Sequence, residues 1–246
     1  MTDIFAISEL SMLNDMRRLD MISHNIANAT THGYKRDLSV ARSFADQLQS
    51  GLTDASPLQS LAGSSVPSLS SFTDFRQGAF TKTDNRLDVA IEGEGFFEFN
   101  TGSQLLYSRQ GNFHLDHLGR LMSASNHLVN GLSGEIRLTT EAPRIDKQGV
   151  VWDAEEAVAQ LKIVKFNDLK LLQKNGDGSY LLAENGRVET LLNPSMRQGF
   201  LETSNVEVME EMVNMMATVR HFEATQHVIQ GYDEILNTAI ETIAEF

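Results

Sequence analysis

The sequence predicts an α+β fold: N- and C-terminal helices paired as a coiled coil, with an inserted, mainly antiparallel β-domain. Three observations carry that expectation. Apolar residues recur in steps of three and four at both ends of the chain, which lines up one face of a helix. Between those ends the period changes to two, as a half-buried strand requires. The short alternating segments are separated by turn clusters rather than helical stretches, which argues for antiparallel pairing. The 246 residues accordingly divide into an N-terminal helix (1–33), a connecting region (34–75), a β-rich domain (76–198) and a C-terminal helix (199–246) that packs with the first.

From the N-terminus, Thr2 and Asp3 suit a helix cap. Phe5, Met12, Leu19 and Ile26 then fall seven apart, with Met16 and Ile22 on the intervening turns, a heptad-like seam. The helix is expected to end within 28–33, where Gly33 can take the left-handed conformation of a cap. Residues 34–48 mix apolar and charged side chains and admit either an extended or a short helical conformation. Residues 50–71 are rich in Ser, Gly, Leu, Ala and Pro and read as a linker or loop. Strands are expected at 79–83, 87–91, 96–99, 106–109, 112–115, 120–122, 135–138, 149–152 and 159–166. A helix expected from Val206 carries an apolar stripe through Met209, Met212, Met216, Val219, Phe222, Leu236 and Ile243. It would be roughly 60 Å long at 1.5 Å per residue. One face is expected to bind the N-terminal helix, leaving Val213 and Ile240 to meet neighbouring subunits.

Composition excludes several function classes. Formal net charge is −13, from 33 acidic and 20 basic residues, which disfavours nucleic acid and anionic lipid alike. No cysteine is present, which removes disulfides, thiolate metal sites and cysteine nucleophiles. No apolar run approaches the ~18 residues that span a bilayer, so no membrane insertion is expected. Met1-Thr2-Asp3-Ile4-Phe5 lacks the basic start of a cleavable signal peptide.

Gly93-Glu94-Gly95 lies between two apolar runs with no P-loop Lys after it, and reads as a tight turn rather than a phosphate cradle. Asn175, Asp177, Gly178 and Glu184 hold calcium-loop positions, but Gln173 stands where the first carboxylate belongs. Asn175-Gly176-Asp177-Gly178 reads more simply as a hairpin turn. His114, Asp116 and His117 fall in one turn with no further ligand at suggestive spacing, and His221 and His227 do not share a helical face. No nucleophile–base, HExxH or paired-carboxylate pattern stands out. No catalytic residue, metal ligand or cofactor is assigned, and no enzyme activity is expected.

Four stretches carry a more specific signal. The first is Ser23-His24-Asn25-Ile26-Ala27-Asn28-Ala29-Thr30-Thr31-His32-Gly33-Tyr34-Lys35. The second is Leu87-Asp88-Val89-Ala90-Ile91-Glu92-Gly93-Glu94-Gly95-Phe96-Phe97. The third is Tyr107-Ser108-Arg109-Gln110-Gly111-Asn112-Phe113 with Asp116 and Gly119. The last is Leu201-Glu202-Thr203-Ser204-Asn205-Val206, then Glu211-Met212 and Arg220-His221-Phe222-Glu223. In this order they resemble the signatures of bacterial flagellar axial proteins, the rod and hook family. Asn25, Ala27, Asn28, Gly33, Tyr34, Leu87, Asp88, Gly93, Gly95, Phe96, Phe97, Ser204, Asn205 and Val206 are the positions that match the pattern. His24 departs from it, standing where a second Asn is usual, and Ser125-Asn126-His127 replaces a Gly-aromatic turn.

Large hook-type insertions are absent, which points to the rod proteins, and the chain fits the proximal-rod member better than the distal-rod member. The resemblance implies a structural subunit of the basal-body rod that assembles helically through its terminal helices and transmits torque for motility. It implies as partners other copies of the chain, neighbouring rod proteins and the flagellar type III export apparatus. It implies a place in the periplasmic rod, reached without a cleaved signal peptide. The competing reading is a cytoplasmic coiled-coil dimer with a ligand-binding β-domain.

Overall fold

The computed structural model describes residues 2–40, 70–140 and 143–244. Most of the linker expected over 50–71, and the side chains of Phe5, Leu236 and Ile243, lie outside the described residues. Two compact units are present. The first takes in Met1–Ala27, Asp37–Phe72 and Glu207–Phe246, and the second Asn28–Arg36 and Thr73–Val206.

The first unit holds helix α1 (Thr2–Ala27), helix α2 (Val208–Ala244) and all but the last residue of a two-stranded ribbon, Asp37–Val40 with Ser70–Thr73. No Gly or Pro interrupts α1, and α2 contains only Gly231, where a side chain would meet nothing. That glycine costs about 1 kcal/mol relative to Ala, which a 37-residue helix absorbs. Glu210 and Glu211 in the first turn of α2 face the positive end of the helix dipole. The rod is about 55 Å long. It starts at Val208 rather than Val206, because Leu201 belongs to a strand, Phe200–Glu202.

The expected coiled coil is corrected here. These are the only α-helices among the described residues, and they lie beside each other. The seam that a coiled coil required on α2 is nevertheless open: Met209 is 75% exposed and Met216 55%, with Met212 and Val219 also exposed. The covered positions are Glu211 and Thr218 on α2, and Ser8, Asp15, Ile22 and Asn25 on α1. Knobs-into-holes packing rests on apolar residues at the covered positions, and here most of them are polar. An amphipathic stripe normally faces inward, but on α2 its apolar residues face outward.

The second unit is mainly antiparallel sheet. Its largest sheet has Phe96–Asn100 at the centre, paired with Leu105–Ser108 on one side and with Leu128–Gly131 and Ile163–Phe166 on the other. Successive side chains of a strand point to opposite faces. Phe97 and Phe99 therefore enter one core with Val89, Leu106, Phe113 and Ile163, while Phe96 enters a second with Tyr107, Phe166 and Tyr180. Glu98, on the face of Phe96, is 2% exposed and receives Asn130 Nδ2 at 2.9 Å and Lys162 Nζ at 2.8 Å. Those two bonds satisfy a carboxylate that would otherwise be costly to bury.

The strand expected at 159–166 is two strands, Glu156–Gln160 and Ile163–Phe166. Between them Leu161 N donates to Gly149 O and Lys162 N to Asn130 O, so the backbone changes partner in mid-run. The strand expected at 135–138 shrinks to Gly134–Glu135, yet Ile136 and Leu138 are buried by bonding to the 119–121 segment. Residues 172–182 form the hairpin, Leu172–Lys174 with Ser179–Leu182.

Candidate functional site

Two constructions stand out, one in each unit. In the second unit, the N-terminal, central and C-terminal motifs meet in a buried ion cluster. Gly33 takes φ +69°, and a Cβ there would come within 2.7 Å of the Arg109 carbonyl carbon and the Gln110 nitrogen. This close approach lets Gly33 N donate to Glu202 O at 2.8 Å. Lys35, 0% exposed, then donates from Nζ to Glu202 Oε1 at 2.5 Å and to Arg76 O at 2.8 Å. Glu202 also accepts Gly78 N at 2.9 Å and Arg109 Nη1 at 3.4 Å. Arg109 donates onward to Gly93 O at 2.8 Å and lies 5.2 Å from the Phe96 ring centre.

Burial pushes the Lys35 ammonium below its ordinary value, while the charge and hydrogen bond of Glu202 pull it back. Burial likewise lowers Arg109 against the pull of Glu202. Glu202 is therefore the anion that makes two buried cations tolerable.

Asn205 closes the same corner. Its Oδ1 accepts Arg36 N at 2.8 Å, and its Nδ2 donates to Asp74 O at 2.8 Å and Arg76 O at 3.2 Å. An amide is the one short side chain that both accepts and donates in this way. Asp74 in turn takes Arg76 in a 2.7 Å ion pair and Arg36 at 3.6 Å. Burial raises the Asp74 carboxyl, but the hydrogen bonds and charge of Arg76, with the charge of Arg36, leave it below its ordinary value. Tyr34 is buried under Lys174, whose Nζ sits 4.5 Å from the ring centre and donates to Lys35 O.

The other motif residues fill structural posts. Phe96 and Phe97 enter the two cores, Leu87 packs on the larger one, and Asp88 O accepts Gly199 N. Gly95, at φ +132°, lies against the Ile163 side chain, and Gly93 exposes its turn to solvent. Asn28 O accepts Thr31 N just after the helix, and Ser204 Oγ accepts Val206 N. In the first unit, Asn25 pairs both ways with the Asp37 backbone, donating at 2.8 Å and accepting at 3.0 Å, while Ala27 is exposed.

The second construction is the face of α2. Met209, Met212, Val213, Met216 and Val219 are exposed along it, with Val228 and Ile235 further on, while Leu13 and Met16 are exposed on α1. Met12, Leu19, Ile26 and Phe222 are half-buried. Behind the ladder, Asp15 Oδ2 meets His221 Nδ1 at 2.6 Å.

Reading the sequence alone placed Lys35, Arg109 and Glu202 inside motifs without giving them a role. The available signal was the recurrence of single charges within runs of turn and apolar residues. No group of three or more potential His, Asp or Glu metal ligands occurs among the described residues. No described helix is long and apolar enough to cross a membrane.

Comparison with known proteins follows the same two regions. Residues 90–152 match the family "Flagellar hook protein FlgE/F/G D1 domain", and residues 197–242 match "Flagellar basal body rod FlgEFG protein C-terminal". The flagellar basal-body rod protein FlgG of Bacillus subtilis is 30% identical, over 93% of this chain and 94% of that protein. The flagellar basal-body rod protein FlgF of Caulobacter vibrioides is 28% identical, over 93% of each. The flagellar hook-basal body complex protein FlhO of Bacillus subtilis is 27% identical, over 96% of each. Relatives bearing the FlgG and FlgF names match almost equally, so the placement goes as far as the rod.

Proposed function

Because this chain belongs to the family of flagellar basal-body rod proteins and is a structural subunit of that assembly, we propose that the apolar ladder of α2 joins it to its neighbours. The observation that carries this reading is the exposure of Met209, Met212, Val213, Met216 and Val219 along one helix, beside an α1 whose covered positions are mostly polar. Such a surface is unfavourable in water, and covering one Met or Val stabilises by about 1.5–3 kcal/mol. Contacts of this kind between unlike faces propagate as a helical array instead of closing. The unbranched Met side chain adapts to holes of slightly different shape, which suits contacts that are not all equivalent.

On this reading the partners are other copies of the chain and neighbouring rod proteins, the subunit reaches the periplasmic rod through the flagellar export apparatus, and the rod carries torque. The buried cluster around Glu202 holds the β-rich unit together and takes no part in the contacts between copies. The family is structural, and the reading assigns no reaction.

Met216→Asp tests it. A charge at this position is expected to abolish incorporation into rods and motility, while near-UV circular dichroism of the purified subunit stays that of the parent chain. Normal incorporation of Met216→Asp overturns the reading.

A further inference from the structure

The exposed thioethers of the helical unit have a chemistry that packing does not use. Met209, Met212 and Met216 follow one another on one face of α2 at 75%, 46% and 55% exposure. The other described methionines provide an internal scale. Met16 on α1 is 54% exposed, Met12, Met21, Met122 and Met215 are half-buried, and Met196 is 2% exposed in the β core. Oxidation of a methionine turns a flexible apolar side chain into a polar one and disrupts Met-rich interfaces.

We propose that Met209, Met212 and Met216 form an oxidation-sensitive site, at which conversion to sulfoxides by a peroxide blocks association of the free subunit. The proposal rests on the reading of this face as the assembly surface. In each event sulfur bonds to one peroxide oxygen and the O–O bond breaks. The thioether is oxidised by two electrons to the sulfoxide, and the other oxygen leaves as water. Each sulfoxide then carries a polar S=O into an apolar contact, weakening association by about tenfold or more. Methionine sulfoxide reductases return the thioether, so the block is reversible. Subunits already assembled have these sulfurs covered and resist the same dose.

The test treats the purified full-length chain with dilute hydrogen peroxide and follows each methionine by peptide mass spectrometry. Met209, Met212 and Met216 are expected to oxidise at least about ten times faster than Met196, in line with exposure. Association of the oxidised chain, measured by sedimentation over a concentration series, is expected to fall by about tenfold or more and to recover after treatment with the reductases. The association that the triple variant Met209→Leu, Met212→Leu, Met216→Leu shows before peroxide, whatever its strength, is expected to be unchanged after it, because no thioether is left on this face.

Oxidation of the three at the rate of Met196 overturns the proposal. So does a Leu variant that loses association on oxidation as the parent does. If the untreated chain does not associate at all, the assembly reading fails and the proposal falls with it. The mass-spectrometric order then still shows whether these sulfurs are the reactive ones.

Discussion

Glu202 joins residues far apart in the chain. Its side chain takes Lys35 and Arg109 as ion-pair partners and Gly78 N as a further donor, and its backbone takes Gly33 N. Removing its charge leaves two buried cations facing a neutral group. Breaking a buried pair in this way costs about 3–5 kcal/mol, and Glu202→Gln is expected to destabilise the β-rich unit by that amount in urea unfolding followed by tryptophan fluorescence. A loss under about 0.5 kcal/mol would mean that water or a nearby group neutralises the cations. The participants were all visible in the sequence, since Lys35, Arg109 and Glu202 fall inside three of the four motifs. Their convergence was not visible, because no local periodicity links contacts separated by 93 and 167 positions. Asn205 was recognised as a motif residue, but its job became clear only when three backbone groups were found around its amide.

Among the elements, legibility depended on how far local pattern agreed with tertiary environment. Strands 96–100, 105–108 and 113–115 emerged close to expectation, because their aromatic and branched residues suit a buried sheet. The 159–166 run failed because its backbone hydrogen bonds pass to different neighbours around Leu161. The helices were placed well and phased badly. Periodicity finds an apolar stripe, but the inference that it faces inward assumes a lone globular chain.

The strand Val150–Asp153 offers a prediction of its own. Asp153 is tied to the Thr139–Thr140 segment by bonds from Thr139 N at 2.7 Å, Thr139 Oγ1 at 2.6 Å and the Thr140 hydroxyl. Hydrogen bonds from Thr139 and Thr140 hold its carboxyl at about 2, below its ordinary 3.8. A carboxyl lowered by folding stabilises fully above its unfolded value, and that contribution disappears as pH falls through the folded value. Stability of the β-rich unit is therefore expected to decline between about pH 4 and pH 2, and Asp153→Asn to flatten that limb in acid titrations followed by circular dichroism. An unchanged slope in the variant would assign the acid sensitivity to other carboxylates.

Across the whole molecule, the two units have different duties. The β-rich unit is held by its two aromatic cores and by an ion cluster whose charged partners lie within the chain. The helical unit leaves an apolar ladder uncovered, which a monomeric protein has reason to avoid. Family membership is written in the motifs, whereas the outward phase of the ladder depends on how the two helices pack.

On the proposed function, neighbouring subunits cover this ladder. Because the chain contains no cysteine, Met216→Cys places one unique thiol on it. Labelling that thiol with a small maleimide, in the free subunit and in isolated basal bodies, shows whether they do. Rapid labelling of the free subunit is expected, with labelling slowed by about a hundredfold or more once assembled, as a fully covered side chain requires. Equal labelling in both states would contradict it.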